Sequence, residues 1–214
     1  MTATGLTIAV PRGALFGESL DLLDRLGIDT RAVRENDRRL IFPDLGVITT
    51  RPSDVPTYVE HGAADLGITG KDVLLEQRDR EVYELLDLGY GYCRMIVAAR
   101  DGDDPLGEPL RRRGSVRIAT KYPRIATDYF TGTGRAAEIV EVKGSVEIGP
   151  LTGLVDAIVD LTASGRTLAE NQLVEQEQIV ECTARLIANP VSHKLKAEAI
   201  DALVERMRSA VAAP

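Results

Sequence analysis

The chain has no tryptophan, and only 4% of its residues are aromatic. Aliphatic side chains must therefore fill its core, and a hydrophobic share of 44% in 214 residues is enough for that. Cysteine is almost absent. Cys93 and Cys182 lie far apart in apolar, strand-like stretches and read as reduced structural thiols, not as a disulfide framework. The two histidines, His61 and His193, lack metal-ligand spacing and read as surface residues. No apolar run approaches membrane-spanning length. The opening MTATGLTIAVPRG lacks the charged and apolar regions of a signal peptide, so a cytoplasmic protein is expected. Positive charge is in deficit too. A net charge of −7 argues against a nucleic-acid binder, whereas a local arginine cluster still suits an anionic small ligand.

What is present is alternation. Strands are predicted in LTIAV (6–10), in RRLIF and GVITT around a Pro43-Asp44 turn, and in ADLGITG, CRMIVAAR, VRIAT and EIVEVKG. QEQIVECTARLIANP reads as a strand pair or one bent strand. Helices are predicted in ESLDLLDRLG up to Gly27, in SDVPTYVEHG with Ser53 or Asp54 as cap, and in KDVLLEQ and PRIATDYF. The last segment predicts one amphipathic helix capped by Ser192, with Leu195, Ala199, Leu203 and Met207 on its stripe. DGDDPLGEP reads as a surface loop and the following RRRG as a solvated charge run. This order predicts an α/β protein with largely parallel sheets. The strands exceed one compact sheet, so two lobes with a cleft between them are expected. The first lobe takes residues 1–92 and 180–214, and the second takes 93–179. Ligands of such folds sit beyond the carboxyl ends of strands.

VDAIVDLTASGRTL (155–168) is the most informative segment. An apolar run carrying Asp156 and Asp160 leads into a small polar loop and then a helix-like stretch. Carboxylates accept hydrogen bonds from ribose hydroxyls, and the N–H groups of a tight loop hold phosphate. The loop matches neither GxxxxGK[ST] nor GxGxxG. It resembles the PRPP loop of phosphoribosyltransferases.

Further segments extend the resemblance. IAVPRG, RPSDVPTYVEHGAADLGITGKDVLLE, RIATKYPRIATDYF and GSVEIGPLTGLVDAIVDLTASGRTL occur in the order of the ATP phosphoribosyltransferases, over nearly the whole chain. The resemblance implies a fold like a type II periplasmic binding protein. It also implies transfer of the phosphoribosyl group of PRPP to N1 of ATP, the first step of histidine biosynthesis. The chain ends at Pro214 without the long form's added regulatory domain, and so resembles the short form. That form implies a homodimer within a hetero-oligomer with a histidyl-tRNA-synthetase-like regulatory subunit. A solute receptor of the same fold, or a phosphoribosyltransferase acting on another base, are the competing readings.

The resemblance also implies site residues. Asp156 and Asp160 are expected on the ribose hydroxyls. Thr162, Ala163, Ser164, Gly165, Arg166 and Thr167 are expected around the 5′-phosphate, with Ala157 and Leu168 also in the PRPP site. Arg51 is expected to act in catalysis on the leaving pyrophosphate or the ATP phosphates, because arginine binds phosphate bidentately. ATP contacts are expected from Arg12, Gly13, Asp65, Gly67, Lys71, Lys121, Tyr122 and Glu147. Mg²⁺ is expected on substrate oxygens, with no protein metal site.

Overall fold

The short apolar runs near residues 6–10 and 66–70 become strands buried on both faces. In this computed structural model residues 5–102 and 104–212 are described; residues 1–4, the start of the stretch read as lacking a signal peptide, lie outside them. β1 (Ile8–Pro11) is wholly buried. It leads into α1 (Phe16–Arg25), which buries Leu20, Leu22 and Leu23, as its apolar spacing predicts. α2 (Arg31–Arg34), β2 (Ile41–Phe42), β3 (Val47–Thr50), α3 (Val55–Glu60), β4 (Leu66–Gly70), α4 (Lys71–Glu76) and β5 (Tyr83–Asp87) follow. Next come β6 (Cys93–Arg100), α5 (Gly107–Arg113), β7 (Val116–Thr120), α6 (Pro123–Gly132), β8 (Ala137–Glu141), α7 (Ile148–Leu151), β9 (Ala157–Thr162), α8 (Arg166–Glu170) and β10 (Leu173–Cys182). β11 (Ala184–Ala188), α9 (Pro190–Leu195) and α10 (Ala197–Ala212) close the chain.

The chain divides into two units, Met1–Gly91 with Thr183–Pro214, and Tyr92–Cys182. The return crossing falls beyond Ile179, because β10 stays paired with β6 as far as Cys182 opposite Cys93. The two thiols, remote in sequence, are thus cross-strand neighbours and form no disulfide.

The first unit has a sheet of order β2-β3-β1-β4-β11-β5, and the second a sheet of order β10-β6-β9-β7-β8. Neither is largely parallel. β1 runs parallel to β3 and β4, and β7 parallel to β8 and β9. β11 and β6, the strands that carry the chain back and across, are antiparallel to their neighbours. The first core packs Ile8 and Val10 with Leu20, Leu23, Ile200, Leu203 and Met207. The second packs Ile96, Ala98, Val146, Ile158 and Leu168.

Several local expectations are corrected. The C-terminal segment is two helices that meet at Lys196, whose ammonium reaches Asp65 at 2.8 and 2.9 Å. Asn189, not Ser192, caps the first: its side chain accepts the Ser192 N–H at 2.8 Å. Leu195 falls off the stripe and is 77% exposed, while Ile200 and Val204 are buried in its place. Asp54 stands before α3 without a side-chain cap bond; the Ser53 hydroxyl is turned to its carboxylate at 3.2 Å. RRRG is solvent-exposed as expected, but its arginines end α5, and Arg113 is salt-bridged to Asp156.

Candidate active site

In the second unit β7 and β9 are parallel neighbours, so their carboxyl ends share one edge of the sheet. Chemistry collects at such edges. β7 gives way there to Lys121 and Tyr122, and β9 ends in Asp160, Leu161 and Thr162 before the loop. Glu147 arrives as the residue before α7. Glu147, Asp160, Leu161, Thr162, Ala163, Ser164, Arg166, Thr167 and Leu168 line one pocket of about 230 Å³. Leu161 had no expected role; its place between two expected contacts was the available signal.

Asp160 is the buried charge of this pocket, its side chain only 14% exposed. One oxygen accepts the Leu161 N–H at 2.9 Å, and the other lies 3.8 Å from the Lys121 ammonium. Burial pushes the Asp160 carboxyl above its ordinary value. The Leu161 N–H and Lys121 pull it down, Glu147 pushes it up, and it stays raised. A group of this kind binds protons more readily than a surface carboxylate and is costly to keep ionised until a ligand arrives.

The loop is held by its own hydroxyls. Thr162 Oγ1 accepts the Gly165 N–H at 3.0 Å, and Ser164 Oγ stands 3.4 Å from the Arg166 nitrogen. Gly165 has φ +73°, a left-handed conformation that disfavours any Cβ. A Cβ there would meet nothing within 4 Å, so the glycine is needed for its backbone angle and not for close approach. Leu168 is 7% exposed and packs into the core, so it anchors α8 where it forms part of the pocket wall. Arg166 pairs with Glu170 at 2.9 Å.

Asp156 and Ala157 are not at this edge. Asp156 precedes β9, at the opposite end of the strand from the loop. Its carboxylate accepts the Arg117 N–H at 2.8 Å and is bridged to Arg113. Ala157 is fully buried and paired with Ala99 and Ile118. The expectation that Asp156 and Asp160 sit together fails because the turn before β9, not its end, carries the first of them.

In the first unit, β1, β3 and β4 are parallel, and Arg12, Gly13, Arg51 and Lys71 follow their carboxyl ends. Arg12 is already engaged. It donates to Thr49 Oγ1 at 3.0 Å and to the Arg39 carbonyl at 3.0 Å, and lies over the Phe16 ring at 5.4 Å. Lys71 is paired with Glu84 at 2.7 Å. Arg51 is exposed, and its guanidinium makes no hydrogen bond or ion pair with the described residues.

Asp65 and Gly67 do not belong to that edge. Asp65 precedes β4 and accepts the Thr7 N–H at 2.9 Å as well as Lys196. Burial raises its carboxyl, but Lys196, Ser192 and the Thr7 N–H outweigh this and hold it below the ordinary range. Gly67 lies inside β4, where a Cβ would come within 2.6 Å of Val55 and 2.7 Å of Val59. It is there so that α3 can press on the strand.

A larger concavity, about 400 Å³, lies among Asp29, Arg31, Glu35, Arg39 and Phe42. Its arginines are spent, Arg31 on Asp29 at 2.5 Å and Arg39 on the Phe42 ring at 4.9 Å.

An α/β frame of two units, with a buried carboxylate, a lysine and a hydroxyl-rich loop at one sheet edge, is an arrangement suited to a phosphorylated sugar. The sequence profile of HisG, ATP phosphoribosyltransferase, matches residues 51–209. The ATP phosphoribosyltransferase of Sorangium cellulosum is 47% identical over 211 residues, covering 97% of this chain and 96% of that one. The chain belongs to the ATP phosphoribosyltransferase family. The ATP phosphoribosyl transferase (HisG:HisZ) complex from Thermotoga maritima superposes with TM-score 0.80 at 34% identity, over 96% of this chain and 98% of that one. The periplasmic aliphatic sulphonate binding protein SsuA from Escherichia coli superposes with TM-score 0.64 at 10% identity, over 97% of this chain and 72% of that one. That likeness is one of fold, and it bears out the periplasmic-binding-protein-like α/β architecture.

Proposed function

We propose that the pocket at the carboxyl ends of β7 and β9 holds PRPP in the reaction of this family. That reaction moves the 5-phosphoribosyl group of PRPP to N1 of ATP, releases pyrophosphate and opens histidine biosynthesis. The observation that carries the assignment is Lys121 and Asp160, 3.8 Å apart beside the Thr162–Thr167 loop. The loop cradles the 5′-phosphate with N–H groups and hydroxyls. Asp160 accepts from the ribose hydroxyls. Glu147, expected on ATP, is reassigned to this pocket because it lines the same wall, and Lys121 with it because its ammonium stands 3.8 Å from Asp160.

N1 of the adenine attacks C1 of the ribose with its lone pair. The bond from C1 to the pyrophosphate oxygen breaks, and its electron pair leaves with pyrophosphate. N1 carries no proton, so no base is needed before attack. The ribose becomes cation-like, and an ionised Asp160 nearby lowers the cost of that charge. Arg51, with Arg12 and Lys71 at the same sheet edge, is the cation we assign to ATP or pyrophosphate phosphates.

Among the described residues no cluster of three or more His, Cys, Asp and Glu could hold a metal. Two hard carboxylates, Asp160 and Glu147, fit instead a Mg²⁺ that arrives on substrate oxygens. When bound, it would neutralise phosphate charge.

We further propose the short form of the enzyme, a homodimer working with a histidyl-tRNA-synthetase-like regulatory subunit. The near full-length match to a chain of the Thermotoga complex supports this. A cytoplasmic place suits a biosynthetic enzyme. No helix among the described residues is long and apolar enough to cross a membrane. Calorimetric titration with PRPP tests the pocket: the parent chain binds, and Asp160→Ala weakens binding by about tenfold or more. Equal binding by both would refute the assignment.

A further inference from the structure

One fully buried hydroxyl lies between the two charged residues of the pocket in the hydrogen-bond network. Thr120, the last residue of β7, is 0% exposed. Its Oγ1 donates to the Val159 carbonyl at 2.7 Å and accepts the Tyr122 N–H at 2.9 Å. Val159 immediately precedes Asp160, and Tyr122 immediately follows Lys121. Thr120 and Val159 are also register partners of the parallel ladder. The hydroxyl therefore ties the strand that carries Asp160 to the turn that carries Lys121.

Resting on the reading of this pocket as the PRPP site, we propose that Thr120 is a positioning residue. It fixes the Lys121 ammonium against the Asp160 carboxylate and so presets the pocket for PRPP. Position in the fold supports this. Tyr122 caps α6, so the turn is anchored on one side by the helix and on the other by β7 and this hydroxyl. Thr120 itself need not touch the ligand to act. Valine in its place keeps the shape, removes both bonds and leaves the buried Val159 carbonyl and the part-buried Tyr122 N–H without this partner. The turn can then drift, and Lys121 with it.

The other charged groups around Asp160 are held independently. Glu147 enters from α7. Arg166 pairs with Glu170 on α8. Arg94, opposite Thr162 on β6, is paired with Glu175 at 2.8 Å. None of them depends on Thr120, so its loss is expected to be read through Lys121.

The test is a double-mutant cycle by calorimetry on the full chain, titrating PRPP with Mg²⁺ and, separately, ATP, alongside thermal unfolding. Thr120→Val is expected to weaken PRPP about tenfold and to leave ATP within about twofold. Thr120→Ser keeps the hydroxyl and is expected to restore PRPP affinity to within about threefold of the parent. In a Lys121→Met background, Thr120→Val is expected to weaken PRPP no further. Should Thr120→Val fail to fold, Thr120→Ala is carried through the same cycle.

Equal loss of PRPP and ATP affinity, or a full additional loss in Lys121→Met, overturns the positioning role while leaving the pocket assignment standing. A parent chain that binds no PRPP overturns the pocket assignment, and the proposal with it.

Discussion

Lys121 and Asp160 stand 3.8 Å apart at the carboxyl ends of adjacent parallel strands. The pair is looser than a closed salt bridge, and burial keeps the carboxyl above its ordinary value even with the lysine there. A folded-state value that is raised means that the folded chain favours protonated Asp160. Its favourable contribution is present below the ordinary carboxylate range and is lost as pH rises through the raised value. At neutral pH the ionised form therefore costs stability. Asp160→Asn is expected to raise Tm at neutral pH and lower phosphoribosyl transfer on the order of a hundredfold. Thermal unfolding and product formation read the two effects, and a fall in Tm would count against the burial argument.

Asp156 gives the opposite profile. It holds Arg113 and the Arg117 N–H at the far end of β9. Asp156→Asn keeps an acceptor but loses the charge. It is expected to cost about 1 kcal/mol of stability and to leave the KM for PRPP within about threefold. Denaturant unfolding with steady-state kinetics checks both.

The difference between these two aspartates shows how far the sequence could be read. Spacing put both on one strand with a small polar loop after it; a strand, β9, followed by such a loop is what the fold has. Where the strand begins was not legible, because Val155 and Ala157 are equally apolar and only the Arg113 contact marks the turn. Gly67 posed the same problem. In sequence it lies in a small strand-to-loop unit, and in space it is a gap filled by Val55 and Val59, residues that no local pattern connects to it. Lys196 broke the C-terminal helix through a partner, Asp65, 131 positions away. Periodicity carries local order well and carries such long-range pairings not at all.

Gly165→Ala is expected to strain the loop, since φ +73° costs a Cβ-bearing residue about 1–2 kcal/mol. There is room for the methyl, so the fold should hold while PRPP affinity falls about tenfold. Calorimetry against unfolding separates the two. Unchanged affinity would show that the loop conformation is not needed for the phosphate.

Asp65 and Lys196 link stability to pH. The folded-state value of Asp65 is depressed, so its contribution is full above the ordinary aspartate value. It is lost as pH falls through the lower, folded value. Lys196→Met is expected to remove about 1 kcal/mol at neutral pH, because the lysine is partly exposed. The deficit should shrink in strong acid. Unfolding free energies across acid pH test this, and a pH-independent deficit would assign the loss to packing.

The most direct measurement is phosphoribosyl-ATP formation, detected by mass, from ATP, PRPP and Mg²⁺. The parent chain is compared with Asp160→Asn and Asp156→Asn, each with and without a histidyl-tRNA-synthetase-like subunit. The expected result is product from the parent, near-parent product from Asp156→Asn, and a loss on the order of a hundredfold in Asp160→Asn. Parent-level product from Asp160→Asn with loss in Asp156→Asn would contradict the placement of PRPP at the β7–β9 edge.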